Sequence, residues 1–274
     1  MSKLSFKINE LLLNNINKFC PNKRKPKYSN QYYLNVIIYC LKSGISWRGL
    51  TSNPLIKNNI KYNHFTTIFK IFQKWSNANI FKITYKDLLL KYASKKLCIN
   101  NNYVLIIDST TVYNRCGIDM LGKYYQNKKK SLKISLICDE NGVPTNIKLF
   151  TANTSDCKTI LDTLNTNLIE ESLFKNITLL GDKGYLSKKE TLDKLEEKKV
   201  KLITYKKKNQ VPNTSEKKQI LKKRYKVENV FATLKSYKRI LLRHEKKSDN
   251  YLEFIYLGCI FQSQRIFLET NIFN

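Results

Sequence analysis

Three acidic residues stand where they could hold metal ions for phosphoryl chemistry. Asp108 closes the apolar run Val104-Leu-Ile-Ile-Asp. Asp182 closes Ile177-Thr-Leu-Leu-Gly-Asp and is followed by Lys183-Gly-Tyr185. Glu228 sits within Arg224-Tyr-Lys-Val-Glu-Asn-Val-Phe-Ala-Thr-Leu-Lys235. A short apolar run reads as a buried strand, and a carboxylate at its end lies at the sheet edge, where ligands bind. Steps of about 100° per residue put Arg224, Glu228 and Lys235 within about 40° of one another on a helix. Val227, Val230, Phe231 and Leu234 form the neighbouring apolar stripe. Two strand-end aspartates and one helical glutamate can converge on two Mg²⁺ or Mn²⁺ ions, hard cations that take oxygen ligands. Such paired ions, roughly 3.5–4 Å apart, activate an attacking oxygen and stabilise a leaving one. Each residue alone has a plainer role. Asp108 and Asp182 could cap turns, and Glu228 could form a solvent-exposed pair with Arg224 worth a few tenths of a kcal/mol, on the order of 0.3. Only the combination is specific.

The wider composition suits a polyanionic partner. The 274 residues carry 50 Lys and Arg against 21 Asp and Glu, a formal net charge of +29. Self-repulsion on this scale is relieved by a polyanion, and nucleic acid fits better than a membrane surface. A zinc site is disfavoured: the seven cysteines contain no C-x-x-C pair, and His64 and His244 are far apart in sequence. An odd cysteine count suits reduced thiols. The N-terminal residues lack a sustained apolar stretch, and Phe254 to Phe261 is too short to span a bilayer. A soluble cytoplasmic, nucleoid-associated protein with no membrane partner is expected.

The elements that must position the acids follow from periodicity. Residues 1–97 read as basic and helical. One helix runs over Gln31 to Lys42 and ends at Gly44, and another spans Tyr62 to Trp75 with Phe65, Ile68, Phe69, Phe72 and Trp75 on one stripe. The turn between them carries Trp47 and Arg48. This arrangement suggests a helix-turn-helix-like DNA-binding domain, although a small helical bundle has the same stripes. Residues 22–27 form a basic linker. Residues 98–274 read as α/β, with strands at 103–107, 132–138, 146–150, 177–180 and 200–205 and a hairpin turn at Asp139 to Gly142. Helices are expected from Ser155 to about 169, over 188–198, from about 215 to 242 with a kink, and over 249–268 behind a Ser248 cap. The result is a mixed five-stranded sheet flanked by helices.

Taken together, these residues resemble the DDE transposases of bacterial insertion sequences, whose catalytic domain is ribonuclease H-like. Ile107-Asp-Ser-Thr-Thr-Val112 resembles the first-aspartate motif, Leu180-Gly-Asp-Lys-Gly-Tyr185 the second, and Arg224-x3-Glu228-x6-Lys235 the signature around the glutamate. Lys130-Ser-Leu-Lys133, Asn141-Gly-Val-Pro144 and Ala152-Asn-Thr-Ser-Asp156 resemble the family's second and third strands. Trp47-Arg48 and the helix from Phe65 to Trp75 resemble its N-terminal DNA-binding region. Leu221 and Ser155 depart from the tyrosine and histidine that relatives often carry there. The resemblance implies that Asp108, Asp182 and Glu228 are catalytic metal ligands for two Mg²⁺ or Mn²⁺ ions. Arg224 and Lys235 would contact DNA, with Lys183, Lys130, Lys133 and Arg48 as weaker candidates. Asp156 is read as a helix-capping residue, with a role behind the ligands as the alternative. The implied activity is hydrolysis at the ends of an element followed by strand transfer into target DNA, by a homodimer that pairs the two ends. A ribonuclease H-like endonuclease and a catalytically inactive, transposase-derived DNA-binding protein are the rival readings.

Overall fold

A computed structural model describes residues 3–22, 27–51, 64–97, 102–123, 130–166, 168, 176–205 and 214–272. Part of the basic linker, the start of the expected helix at Tyr62 and the loop before Ser215 lie outside these residues. Among the described residues, the first helices are α1 (Lys3–Phe19), α2 (Asn30–Ser43), α3 (Phe65–Asn77) and α4 (Ile80–Leu97). Gly44 ends α2 with a left-handed φ of 69°, and its N–H returns to the Cys40 carbonyl at 3.0 Å. That is the glycine stop expected from the sequence. The stripe on α3 turns inward: Ile68, Phe72 and Trp75 are buried.

The sheet is built from β1 (Asn102–Asn114), β2 (Gly122–Lys123), β3 (Lys130–Asp139), β4 (Pro144–Thr151), β5 (Asn176–Gly181), β6 (Val200–Thr204) and β7 (Leu242–Arg243). β4, β3, β1, β5 and β6 lie side by side in that order, while two-residue β2 and β7 add to its margin. β3 runs antiparallel to both β1 and β4, and β5 and β6 run parallel to β1. This is the mixed five-stranded, ribonuclease H-like arrangement expected. The turn between β3 and β4 is also as expected. Gly142 has a φ of 85°, and Asp139 Oδ1 accepts the Asn141 and Val143 N–H groups at 2.9 Å each.

β1 is longer than its apolar run. Asp108 lies inside the strand, not at its end, and Ser109 and Thr110 continue it instead of turning. The reason lies on the neighbouring strand: β3 keeps pairing with β1 as far as Tyr113 opposite Ser131. Sheet pairing therefore overrides the local turn preference of Ser and Thr.

Helices cover both faces. α5 (Asp156–Leu164) and α6 (Lys189–Glu197) lie over one face, where Leu105, Ile107, Ile137 and Leu179 are buried with Ile160, Leu164 and Leu195. The other face meets a larger core that runs continuously from Ile8 to Ile272. There the expected long helix is broken into α7 (Ser215–Leu221), a 3-10 turn (Lys222–Arg224), α8 (Tyr225–Ser236) and α9 (Lys238–Leu241). The last expected helix is likewise split into α10 (Ser248–Gln262) and α11 (Gln264–Glu269). Ser248 does not cap α10. Its N–H and hydroxyl both donate to Asp119 Oδ2, at 3.0 and 2.9 Å, so a carboxylate from a distant loop takes the capping role.

α10 is buried along most of its length and packs against α3, α4 and α8. Glu253 on α10 accepts the Phe81 N–H at the start of α4 at 2.9 Å, and burial pushes its carboxyl up to about 8. Tyr85 and Tyr92 on α4 donate to the Pro144 carbonyl and to Asp139, each at 2.6 Å. The helical N-terminal region is thus bonded to both the last large helix and the β3–β4 hairpin.

A buried cation links further parts. Arg239 on α9 is fully buried and donates to Glu245 Oε1 through Nε at 2.9 Å and Nη2 at 2.6 Å, and to the Ile45 carbonyl at 2.6 Å. Its guanidinium lies 5.0 Å from the Trp47 ring centre and 5.5 Å from that of Phe254. Removing the carboxylate would leave a desolvated charge. Glu245→Ala is expected to destabilise the fold by about 3–5 kcal/mol in denaturant unfolding. Arg265→Ala, which breaks only the exposed pair with Glu269, should change stability little.

Candidate active site

The parallel ladder between β1 and β5 ends at Ile106 opposite Leu180. Two residues further on stand Asp108, still within β1, and Asp182, just past the end of β5. Alternation along β1 puts Asp108 on the face of Ile106, part of the core beneath α8. The Asp182 charge lies near enough to add to the rise of the Asp108 pKa. Ser109, pointing the other way, faces α5.

Each aspartate is held locally. Asp108 Oδ1 accepts the Ser109 N–H at 2.8 Å. Asp182 precedes a 3-10 turn (Lys183–Tyr185), and its Oδ1 accepts the Gly184 N–H at 2.7 Å. A Cβ at Gly184 would lie 3.0 Å from Asp182 Oδ1 and 3.0 Å from Asp156 Oδ2. A side chain at this point would press on both carboxylates, which a glycine avoids.

Asp156 is part of the site's surroundings. It opens α5, yet neither it nor the N-cap residue Ser155 supplies a side-chain cap. Asp156 Oδ1 instead accepts the Ser109 hydroxyl at 2.6 Å and the Lys133 ammonium at 2.7 Å. The capping role expected for it is not observed. A signal was available in the sequence: Lys133 falls within a buried strand, and a buried ammonium requires an acid nearby.

The electrostatics record this convergence. Burial pushes the Asp108 carboxyl up to about 6. The Ser109 N–H and the Arg224 charge oppose that rise, and the charges of Asp182 and Asp156 add to it. Tyr185, buried under the turn, has its phenol raised by burial and further by Asp156, Asp108 and Asp182. Two cations reach in from α8 and the turn before it. Arg224 Nη2 lies 4.0 Å from Asp108 Oδ2, and Lys235 donates to the Thr110 hydroxyl. Burial lowers the Lys235 pKa, while Asp108 pulls it back up. Arg224 Nε is buried without a hydrogen-bond partner.

The remaining candidates are placed as follows. Glu228 lies one turn beyond Arg224 on α8, between Arg224 and Lys235, and its side chain is exposed. Lys133 is buried on Asp156 and the Thr154 carbonyl, so its ammonium is committed internally. Lys183 is exposed in the turn after Asp182, and Lys130 is exposed at the start of β3. Arg48 is exposed in the 3-10 turn Arg48–Thr51 within the N-terminal helices.

Among the described residues, no three His, Cys, Asp or Glu side chains are already gathered as a metal site. The donor chemistry nevertheless suits a hard divalent cation. Asp108 and Asp182 offer oxygen only, and their mutual repulsion is the kind a cation relieves. Glu228 is the exposed carboxylate on the helix face whose two cations both reach β1.

Comparison with known proteins gives a family. Residues 100–261 match the family described as Transposase DDE domain. No curated protein matches the chain. Among solved structures, a pre-cleavage Mos1 transpososome is similar, with a TM-score of 0.31 and 9% identity over 91% of this chain and 79% of that one. A Mos1 transposase paired-end complex with the left transposon end has a TM-score of 0.31 and 9% identity, over 89% and 80% of the two chains. Among the described residues, no helix is long and apolar enough to cross a membrane.

The site's charge balance can be read directly. In metal-free protein the ¹³C carboxyl signal of Asp108 is expected to titrate near pH 6, protonated below and ionised above. Asp182→Asn should move the midpoint down by removing a like charge, and Arg224→Gln should move it up.

Proposed function

The chain belongs to the family of transposase DDE domains, and from that premise we propose that it is an active transposase that cuts at the ends of a mobile element and joins them to target DNA. The observation that carries the proposal is the placement of Asp108 in β1 and Asp182 just past the end of adjacent parallel β5, each two residues beyond the last paired rung and near enough for the Asp182 charge to act on Asp108. The net charge of +29 supports double-stranded DNA as partner.

Asp108 and Asp182, joined by Glu228, would hold Mg²⁺ or Mn²⁺, with two ions as the expected number. Bound there, such ions polarise the scissile phosphate and support the attacking and leaving oxygens. The protein's own groups do the rest. Arg224 offers an unsatisfied buried N–H, which a phosphate oxygen would satisfy. Lys235 adds a second positive charge beside Asp108 and Thr110. Together they would fix the phosphodiester over the carboxylates. In the first step a water oxygen bonds to phosphorus as the 3′-oxygen leaves with a proton. In the second, the freed 3′-hydroxyl bonds to a target phosphorus and displaces the target's own 3′-oxygen. The number of phosphodiester bonds is conserved in the second step, and no protein–DNA bond is needed. Lys183, Lys130 and Arg48 are proposed as further phosphate contacts, Arg48 within an N-terminal DNA-binding unit over residues 1–97. Two copies would pair two element ends.

Cleavage and joining assays on DNA carrying the flanking ends test this reading. Asp182→Asn is expected to lower both activities at least about a hundredfold, ~2.7 kcal/mol of barrier, while leaving DNA binding intact. Lys235→Ala should weaken binding and reduce the salt slope by about 1. Cleavage without joining would identify a nuclease. Binding to the ends without any chemistry would identify an inactive derivative.

A further inference from the structure

The ladder between β1 and β5 stops two residues short of the aspartates, so no backbone pairing in that ladder fixes Asp108 against Asp182 at the level where they must act. Something else has to hold β1 and the 182–184 turn together. One side chain bonds to β1 and β3 and stands beside the turn. Asp156, at the first position of α5, takes the Ser109 hydroxyl of β1 at 2.6 Å and the Lys133 ammonium of β3 at 2.7 Å. Its other oxygen would stand 3.0 Å from a Cβ placed on Gly184, in the 3-10 turn on which α5 packs, and the Gly184 N–H holds Asp182. The strand pleat decides what kind of role this is. Asp108 points toward the Arg224 side, whereas Ser109 and Lys133 point to the α5 face, with Ile107 and Ile137. Asp156 therefore works from behind the sheet.

We propose that Asp156 is a positioning residue that replaces the missing ladder, tying Ser109, Lys133 and the Gly184 turn into one unit and thereby setting the separation of Asp108 and Asp182. Lys133 is the buried counter-charge that keeps the Asp156 carboxylate in place, not a DNA contact. The inference rests on the reading of Asp108 and Asp182 as a metal-holding pair.

Mn²⁺ titrated into the full-length, metal-free protein, followed by the electron paramagnetic resonance of the free ion, tests it without any need for activity. Wild type should bind Mn²⁺ and Asp182→Asn should lose that binding. Asp156→Ala should bind about 10–100-fold more weakly, the usual effect of removing an outer support of a metal ligand. Asp156→Asn should stay within a few-fold of wild type, because its amide oxygen still accepts from Ser109 and Lys133. Should Asp156→Ala fail to fold with Lys133 uncompensated, Ser109→Ala carries the test from the β1 side and should weaken Mn²⁺ several-fold. Wild-type affinity in folded Asp156→Ala or in Ser109→Ala overturns the inference. So does an Asp156→Asn protein as weak as Asp182→Asn, which would make Asp156 a ligand. Absence of Mn²⁺ binding in wild type, or its survival in Asp182→Asn, instead overturns the reading of the site itself.

Discussion

The parallel pairing of β1 with β5 is the constraint on which the rest depends. It brings two carboxylates, far apart in sequence, to the same end of neighbouring strands, each two residues beyond the last paired rung. A slip of one residue in that register would turn one aspartate to the opposite face. The hydrophobic alternation on the two strands guards against this. Ile106 and Leu180 face the large core, while Leu105, Ile107 and Leu179 face the smaller one. Misregistration would expose or strand several buried aliphatic side chains at once. The core is thus what sets the geometry of the charges, and antiparallel β3 braces β1 where β5 has already turned away.

Holding like charges together has a cost that the fold offsets locally. Desolvation and the neighbouring carboxylates push protons onto Asp108, while Arg224 and the Ser109 N–H favour its ionised form. The protein's positive charge is sorted accordingly. The buried cations are matched: Arg239 to Glu245, Arg243 to Asp119 and Lys133 to Asp156. The Lys183 and Lys130 side chains stay exposed. Arg224 is intermediate, reaching toward a carboxylate with one guanidinium N–H still unmet. That half-satisfied state leaves a buried donor open to an oxygen acceptor.

Much of this was legible in the sequence because it rests on local periodicity. The five main strands, the Asp139–Gly142 turn, the Gly44 helix stop and the apolar stripe of α3 each follow from a few adjacent residues. What was not legible depends on partners distant in sequence. The length of β1 beyond Asp108 comes from β3. The cap of α10 comes from Asp119, which nothing near Ser248 announces. Asp156 looked like a capping residue because an acid at a helix start usually is one. Its bonds to Ser109 and Lys133 appear only once three elements meet. Lys133, read as a phosphate contact, is buried because its position in β3 alternates toward α5. Glu228 is a different case. The apolar stripe beside it, Val227, Val230, Phe231 and Leu234, is buried as expected, while the carboxylate itself stands exposed.

The central position of α10 bears on how the chain is made. Residues 248–262 form the middle of the larger core, yet they are synthesised after nearly everything they pack against. At about 5–20 residues per second, α1 to α4 are complete roughly 8–33 s before residue 262 is made, and β6 roughly 3–12 s before it, with the face that α10 helps to cover still open. The larger core therefore closes last, whereas the smaller one beneath α5 and α6 is complete once β6 has been made. Nascent chains would depend on holding factors until α10 arrives. A message truncated before Ser248 would yield sticky, unfolded polypeptide, not a partial DNA-binding competitor.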